Sequence, residues 1–231
     1  MTTITDLEAL ATQAGKDLEG ADATQIVQWA ADTFGSRFAV ASSMQDTVLL
    51  HVAQSVIPDV DVLFLDTGYH FAETIQTRDR VAARYPRVHV RNLTPRLTVA
   101  EQDADYGKDL FARDPDLCCA LRKTHPLDDA LDDYDAWATG LRRVESPTRA
   151  NTPVVSFDPR RDKVKVAPLA AWTDQQVEAY AAEHDLIANP LLTQGYPSIG
   201  CAPCTRRVAA GEDPRAGRWS GTDKTECGIH L

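Results

Sequence analysis

The sequence has no apolar run long enough to cross a bilayer: Thr47-Val48-Leu49-Leu50 is broken at once by His51, whereas a spanning helix needs about 20 apolar residues. Its first residues, Met1-Thr2-Thr3-Ile4-Thr5-Asp6, hold neither a basic stretch nor an apolar core, so a cytoplasmic location is expected and export is not. Positive charge is in deficit, with 24 Lys and Arg against 34 Asp and Glu and a net charge of −10. A general nucleic-acid or membrane-surface binder needs a positive field, so neither partner is expected. Walker A and G-x-G-x-x-G patterns are both missing, which removes the usual support for a P-loop nucleotidase or a dinucleotide enzyme. There is no internal repeat and no low-complexity tract. Cysteine is scarce, with 5 in 231 residues. A chain of this length buries about 70% of its unfolded surface and needs no disulfide staples. In a reducing compartment the thiols read as ligands or nucleophiles.

What is present alternates. Leu7, Leu10, Ala11, Ala14 and Leu18 recur at helical spacing, as do Ile26, Val27, Ala30, Ala31 and Phe34, predicting two amphipathic helices. Short β-rich runs follow at 37–42, 61–65, 87–90, 135–139 and 163–166, with helix-length segments at 46–55 and 71–84 between the first of them. Strands alternating with helices imply right-handed βαβ units and an open, doubly wound, mostly parallel α/β sheet. Thr173-Asp174-Gln175-Gln176 opens another helix with a capping-box pattern. Beyond Asn189 the periodicity fades into a Pro- and Gly-punctuated, loop-rich end that cannot form a second core. The expected organisation is one α/β nucleotide-binding domain over 1–212 and a C-terminal segment over 213–231. The last ten residues hold few apolar groups and a Gly, and are expected to be mobile.

In open α/β sheets ligands bind beyond the carboxyl ends of the strands. Two such exits are polar: Ser42-Ser43-Met44-Gln45-Asp46, and Leu65-Asp66-Thr67-Gly68-Tyr69-His70. Hydroxyls and helix N-terminal amides can hold a phosphate there, although ordinary turns use the same residues. The cysteines divide into adjacent Cys118-Cys119, the C-x-x-C of Cys201 and Cys204, and a lone Cys227. Two separated pairs suit a tetrahedral zinc ion or a cubane iron-sulfur cluster. Neighbouring cysteines on a helix point about 100° apart, which a cluster with several iron corners tolerates better than one ion. The bland alternative makes Cys118 and Cys119 small buried hydrophobes. Lys123, four residues beyond Cys119, is expected on the same helix face as that thiol. For Arg122 a solvated helix face is expected. A thioredoxin-like reading of the C-x-x-C is disfavoured, because the motif lies in the loop-rich end instead of closing the first strand of a βαβ unit.

Taken together, Cys118-Cys119 with Arg122-Lys123, the C-x-x-C and Glu226-Cys227-Gly228-Ile229-His230 resemble the assimilatory adenylyl-sulfate (APS) reductases. The resemblance runs from about residue 35 to 231, through the two strand-exit loops, Thr139-Gly140-Leu141-Arg142-Arg143 and Pro214-Arg215-Ala216-Gly217-Arg218-Trp219. Ile229 departs from the family's usual Leu, a volume-conserving change. Ser43-Met44 lacks the Gly-rich form of ATP pyrophosphatases, which weakens an ATP-cleaving reading. The resemblance implies an adenine-nucleotide α-hydrolase-like fold, a 4Fe-4S cluster on Cys118, Cys119, Cys201 and Cys204, and Cys227 as nucleophile toward adenosine 5'-phosphosulfate. It implies thioredoxin as electron donor, and Ser42, Ser43, Leu65, Asp66, Thr67, Gly68, Lys123, Arg142, Arg215 and Arg218 as substrate contacts. Arg143 and Arg207 are expected to be surface charges, and His230 a bystander at the chain end. PAPS reduction and a non-catalytic metal-binding redox module are the alternatives, and homo-oligomerisation is left open.

Overall fold

A computed structural model describes residues 6–230; the expected features at Met1–Thr5 and Leu231 lie outside them. Helices α1 (Leu7–Asp17) and α2 (Ala23–Phe34) lead into strand β1 (Phe38–Ala41), α3 (Val48–Val56), β2 (Asp61–Leu65), α4 (Ala72–Arg84) and β3 (His89–Leu93). Next come α5 (Val99–Tyr106), α6 (Leu110–Arg113), α7 (Pro115–Cys119), a π-helical turn (Ala120–Thr124) and α8 (His125–Leu131). Strands β4 (Ala136–Ala138), β5 (Val155–Asp158) and β6 (Lys163–Val166), then α9 (Asp174–Glu183), complete the regular elements. Sheet order is β3-β2-β1-β4-β6-β5, parallel throughout except for β5, which pairs antiparallel with β6 at the edge.

The central strands are buried on both sides, and their side chains alternate between two cores. Phe38, Val40, Val62, Phe64, Ala136 and Ala138 face α2 and α3. Ala39, Leu63 and Trp137 face Leu127 and Leu131 of α8 and Tyr134. The doubly wound parallel architecture thus follows the sequence pattern. Helix starts follow it too: Asp22 with Gln25, Thr98 with Glu101 and Thr173 with Gln176 form capping boxes at α2, α5 and α9.

Pro126 explains the π turn. It has no N–H to bond one helical turn back, and the chain answers with a widened turn over Ala120–Thr124, directly after Cys118-Cys119. Among the described residues no helix is long and apolar enough to cross a membrane.

Residues 222–230 lie against the domain over part of their length, with Thr222, Asp223 and Thr225 exposed. Ile229 adds to the α8-side core, Cys227 and Glu226 are buried, and Lys224 pairs with Asp116. Charge-assisted bonds as well as apolar area hold this segment against the domain.

Candidate active site

The exits of β1, β2 and β4 form one wall of the site. After β1, Ser42 N–H donates to Leu63 O at 3.0 Å and Met44 N–H to Ser42 Oγ at 3.3 Å, while Ser43 is exposed. Met44 is fully buried with φ 58°, a left-handed turn fixed from the far end of the chain by Asn189 Nδ2, which donates to Met44 O. Asp46 accepts from Val48 N–H at 3.1 Å, so a carboxylate of the protein occupies the start of α3. Burial pushes that carboxyl up.

After β2, Leu65 O accepts from His70 Nε2 at 2.7 Å, and Asp66 accepts from Gly68 N–H at 3.3 Å and pairs with Arg78. Thr67 is buried, its hydroxyl 3.3 Å from Cys201 Sγ and its carbonyl accepting from Arg122 Nε. Arg122 is therefore not on a solvated face. It is 3% exposed, donates to Gln102 Oε1 at 3.0 Å and lies 5.1 Å from the Tyr69 ring centre. Its neighbour Gly68 has φ +73°, and a Cβ there would lie 3.0 Å from Arg122 Nη2.

A second wall comes from the C-terminal third. Ala202 N–H donates to Tyr69 O at 2.7 Å, which ties the C-x-x-C segment to the β2 exit. Thr205 bridges to Arg218, and Trp219 N–H donates to Cys204 O at 3.0 Å. Arg218 stacks 4.4 Å over Trp219, donates to Ser198 Oγ at 3.2 Å and passes so near Gly200 that a Cβ there would clash with Nη2. Trp219, Cys119 and Cys227 pack together, with Cys204 and Ile229 against them.

Cys118, Cys119, Cys201 and Cys204 line one small pocket, with Lys123, Arg122 and Tyr69 also on its walls. Among the described residues no three His, Cys, Asp or Glu side chains converge closely enough for one ion; the thiols are spread around a shared space. Burial pushes Cys118 up to about 11, with the Cys201 and Cys204 thiols adding to it, and burial also raises Cys204. Burial alone would lower the Lys123 ammonium, but Cys201, Cys227 and Cys119 around it outweigh that and raise it. Cys227 packs against Cys119, whose thiol holds the Cys227 thiol well below its ordinary range against the effect of burial; Lys123 and Arg218 reinforce it.

The other expected contacts are near but engaged. Arg142 pairs with Asp174 at 2.7 Å and with Glu145 at 3.6 Å, and Arg215 with Glu226 at 3.3 Å. Arg143 pairs with Glu19 at 2.7 Å, while Arg207 is exposed beside Tyr196. His230 is packed in rather than frayed: burial and the charges of Lys165 and Arg149 hold its imidazole neutral. Arg149, Thr148 and Glu226 form a cluster that sequence reasoning missed, since no local spacing links residues 148 and 149 to 226.

The sequence model described as the phosphoadenosine phosphosulfate reductase domain matches residues 37–207. The chain belongs to this family. Membership makes it an oxidoreductase. It is 62% identical to the adenosine 5'-phosphosulfate reductase of Streptomyces coelicolor over 228 residues, covering 99% of this chain and 96% of that one. A crystal structure of the phosphoadenylyl-sulfate reductase of Candida auris in complex with phosphate superposes with TM-score 0.75 at 27% identity, over 90% of this chain and all of that one. The FMN adenylyltransferase of Candida glabrata shares the fold alone, with TM-score 0.57 at 13% identity over 90% of this chain and 77% of the other.

Proposed function

We propose that the protein reduces adenosine 5'-phosphosulfate to sulfite and AMP through a covalent adduct on Cys227. The observation that carries this reading is the docking of Cys227 against the four-thiol pocket, in contact with Cys119 and under the charges of Lys123 and Arg218. The high identity to the Streptomyces reductase along nearly the whole chain supports the nucleotide chosen.

The chemistry needs a nucleophile that attacks sulfur while AMP leaves, and a thiolate suits it. Cys227 Sγ forms the S–S bond to the sulfuryl sulfur as the S–O bond to the phosphate breaks, and AMP carries away that electron pair. A thiol of a thioredoxin-class dithiol then attacks Cys227 Sγ and expels sulfite. Its second thiol resolves the mixed disulfide, so two thiols supply both electrons. For that second step residues 222–230 have to swing away from the pocket.

The substrate is anionic, and a thiolate approaching it needs cations to offset the repulsion. Lys123 and Arg218 act at the reacting end. Arg142 and Arg215 complete the anion contacts once their carboxylate partners yield, and guanidinium forks match sulfate and phosphate oxygens. Ser42, Ser43 and the Leu65–Gly68 loop bound the nucleotide at the strand ends.

The four pocket thiols fit a 4Fe-4S cluster. Burial and the neighbouring thiols oppose the ionisation of Cys118 and Cys204, so a set of thiolates persists there only around a positive centre. Cys118, Cys119, Cys201 and Cys204 would hold the cluster, which supplies a compact, net negative group that stabilises Lys123 beside it. Such a cytoplasmic enzyme takes its electrons from the dithiol.

The test is the intact mass of anaerobically purified protein mixed with APS or with PAPS and no reductant. One SO3 group on Cys227 from APS is expected. A gain from PAPS alone would move the activity to the 3'-phosphorylated nucleotide, and no adduct from either, with iron intact, would leave a non-catalytic metal-binding module.

A further inference from the structure

Glu226 immediately precedes Cys227, is only 8% exposed, and is the most heavily bonded carboxylate of the C-terminal segment. Its Oε1 accepts from Arg149 Nε at 2.7 Å, Thr148 Oγ1 at 3.0 Å and Ser146 Oγ at 3.3 Å. Its Oε2 accepts from Arg149 Nη2 at 2.7 Å and Arg215 Nη2 at 3.3 Å. Ser146 to Arg149 belong to the loop that follows β4 and carries Arg142, so the ion pair joins the nucleophile's segment to a strand exit.

The receptor half is fixed independently of the tail. Arg149 Nη1 donates to Glu145 Oε2, and Glu145 in turn accepts the Arg142 backbone N–H at 3.1 Å. Arg149 therefore stays in place when the tail leaves, and only Glu226 comes and goes. The other holds on the tail are single contacts: Lys224 pairs with a largely exposed Asp116, Arg215 donates to Thr225 O at 3.1 Å, Arg161 and Lys165 donate to Ile229 O and His230 O at 3.4 Å, and Cys227 packs against Cys119 and Trp219.

We propose that Arg149 and Glu226 are positioning residues, a bidentate latch that closes the tail and sets where Cys227 stands. The proposal rests on the reading of Cys227 as nucleophile. A forked pair between nearly buried partners fixes both distance and angle, which a single surface contact does not. Removing one partner leaves a buried charge uncompensated, and the tail can relieve that by opening to water. With the latch gone, Cys227 becomes accessible and forms its adduct slowly.

The test uses cluster-loaded, anaerobically purified protein. The rate of iodoacetamide alkylation at Cys227 is read by peptide mass mapping without nucleotide, along its pH profile up to the plateau, where it reports exposure and not thiolate fraction. Arg149→Met and Glu226→Gln are each expected to raise the plateau rate about tenfold or more, from the range for hydrogen bonds to charged groups. The double variant should go no further than either single one, because the two act as a unit. Single-turnover adduct formation from APS should slow by a similar factor, with melting temperature tracked separately. Unchanged plateau rates in both single variants, or a double variant showing the product of the two effects, would overturn the latch. If Arg149→Met does not fold, Thr148→Val removes one bond and no charge; a rise of a few-fold is expected, and no rise counts against the proposal. Because alkylation needs no substrate, a latch that opens in a protein forming no adduct would reject the catalytic reading and leave the latch standing.

Discussion

The two walls of the site are built from different forces. At the exits of β1 and β2 the loops extend strands buried on both faces, and their backbone groups bond within the sheet: Ser42 N–H to Leu63 O, Asp66 N–H to Leu93 O. On the C-terminal side the chain has little regular structure, and side-chain charge does the holding, through Arg149 and Glu226, Arg215 and Glu226, and Lys224 and Asp116. Apolar burial is indifferent to pH and only weakly sensitive to salt, whereas charge-assisted bonds respond to both. A fixed wall suits recognition of a nucleotide; a wall held by charge suits a nucleophile that must move between two partners.

The largest effect should come from the moving side. Cys227→Ser is expected to lower sulfite release by about four orders of magnitude or more, the scale for loss of a nucleophile. Iron content and melting temperature should stay unchanged. Turnover surviving in this variant would transfer the chemistry to the fixed side.

On the fixed wall, Gly68→Ala should show as lost stability. The new Cβ meets a φ of +73° and stands 3.0 Å from Arg122 Nη2 and 3.2 Å from Val99 Cγ2. Strain of this kind costs about 1–3 kcal/mol, and each kcal/mol lowers Tm by about 2–4 °C in a chain of this size. An unshifted thermal unfolding curve would mean that this wall is softer than its packing implies.

That glycine also marks where the sequence was readable and where it was not. Short β-rich runs foretold β1, β2, β3, β4 and β6, because burial on both faces leaves a continuous apolar run, as in β2 and β4, and burial on one face leaves alternation, as in β6. Strand β5 was missed: it is an antiparallel edge strand whose pairing with β6 no βαβ spacing announces. Helix α5 was missed although Thr98 and Glu101 carry a capping box in plain view. Arg122 was read as solvated because its burial depends on Thr67 O, 55 positions earlier. The cysteines and Lys123 were legible as chemistry. The pairing of Arg149 with Glu226 was not, since it is a tertiary fact 77 positions apart.

Acid should loosen the charged wall first. Burial by itself would raise the Glu226 carboxyl, but the bonds from Arg149 and the charge of Arg215 outweigh it and hold the group below its ordinary value. A depressed carboxyl stabilises docking above the undocked pKa and loses that contribution as pH falls through the docked one. Hydrogen-exchange protection of residues 222–230, corrected for intrinsic rate, should be flat above about pH 5 and fall below about pH 4, ahead of protection at β1 and β2. Loss at the same pH in both regions would show that the walls are one cooperative unit.

The smallest effect separates the strong charge on the tail from the weak one. Asp116 is 79% exposed at its side chain, while its partner Lys224 is 5% exposed. An exposed carboxylate in an ion pair contributes at most about 1 kcal/mol, since water and salt screen it. Lys224 also keeps a second contact, its ammonium lying 5.6 Å from the Trp219 ring centre, where a cation is attracted whether or not Asp116 is charged. Asp116→Asn should therefore reduce protection of residues 222–230 by less than about fivefold, and added salt should erase the difference. If it loosens the tail as much as Glu226→Gln does, docking is shared evenly along the segment, and no single pair sets the position of Cys227.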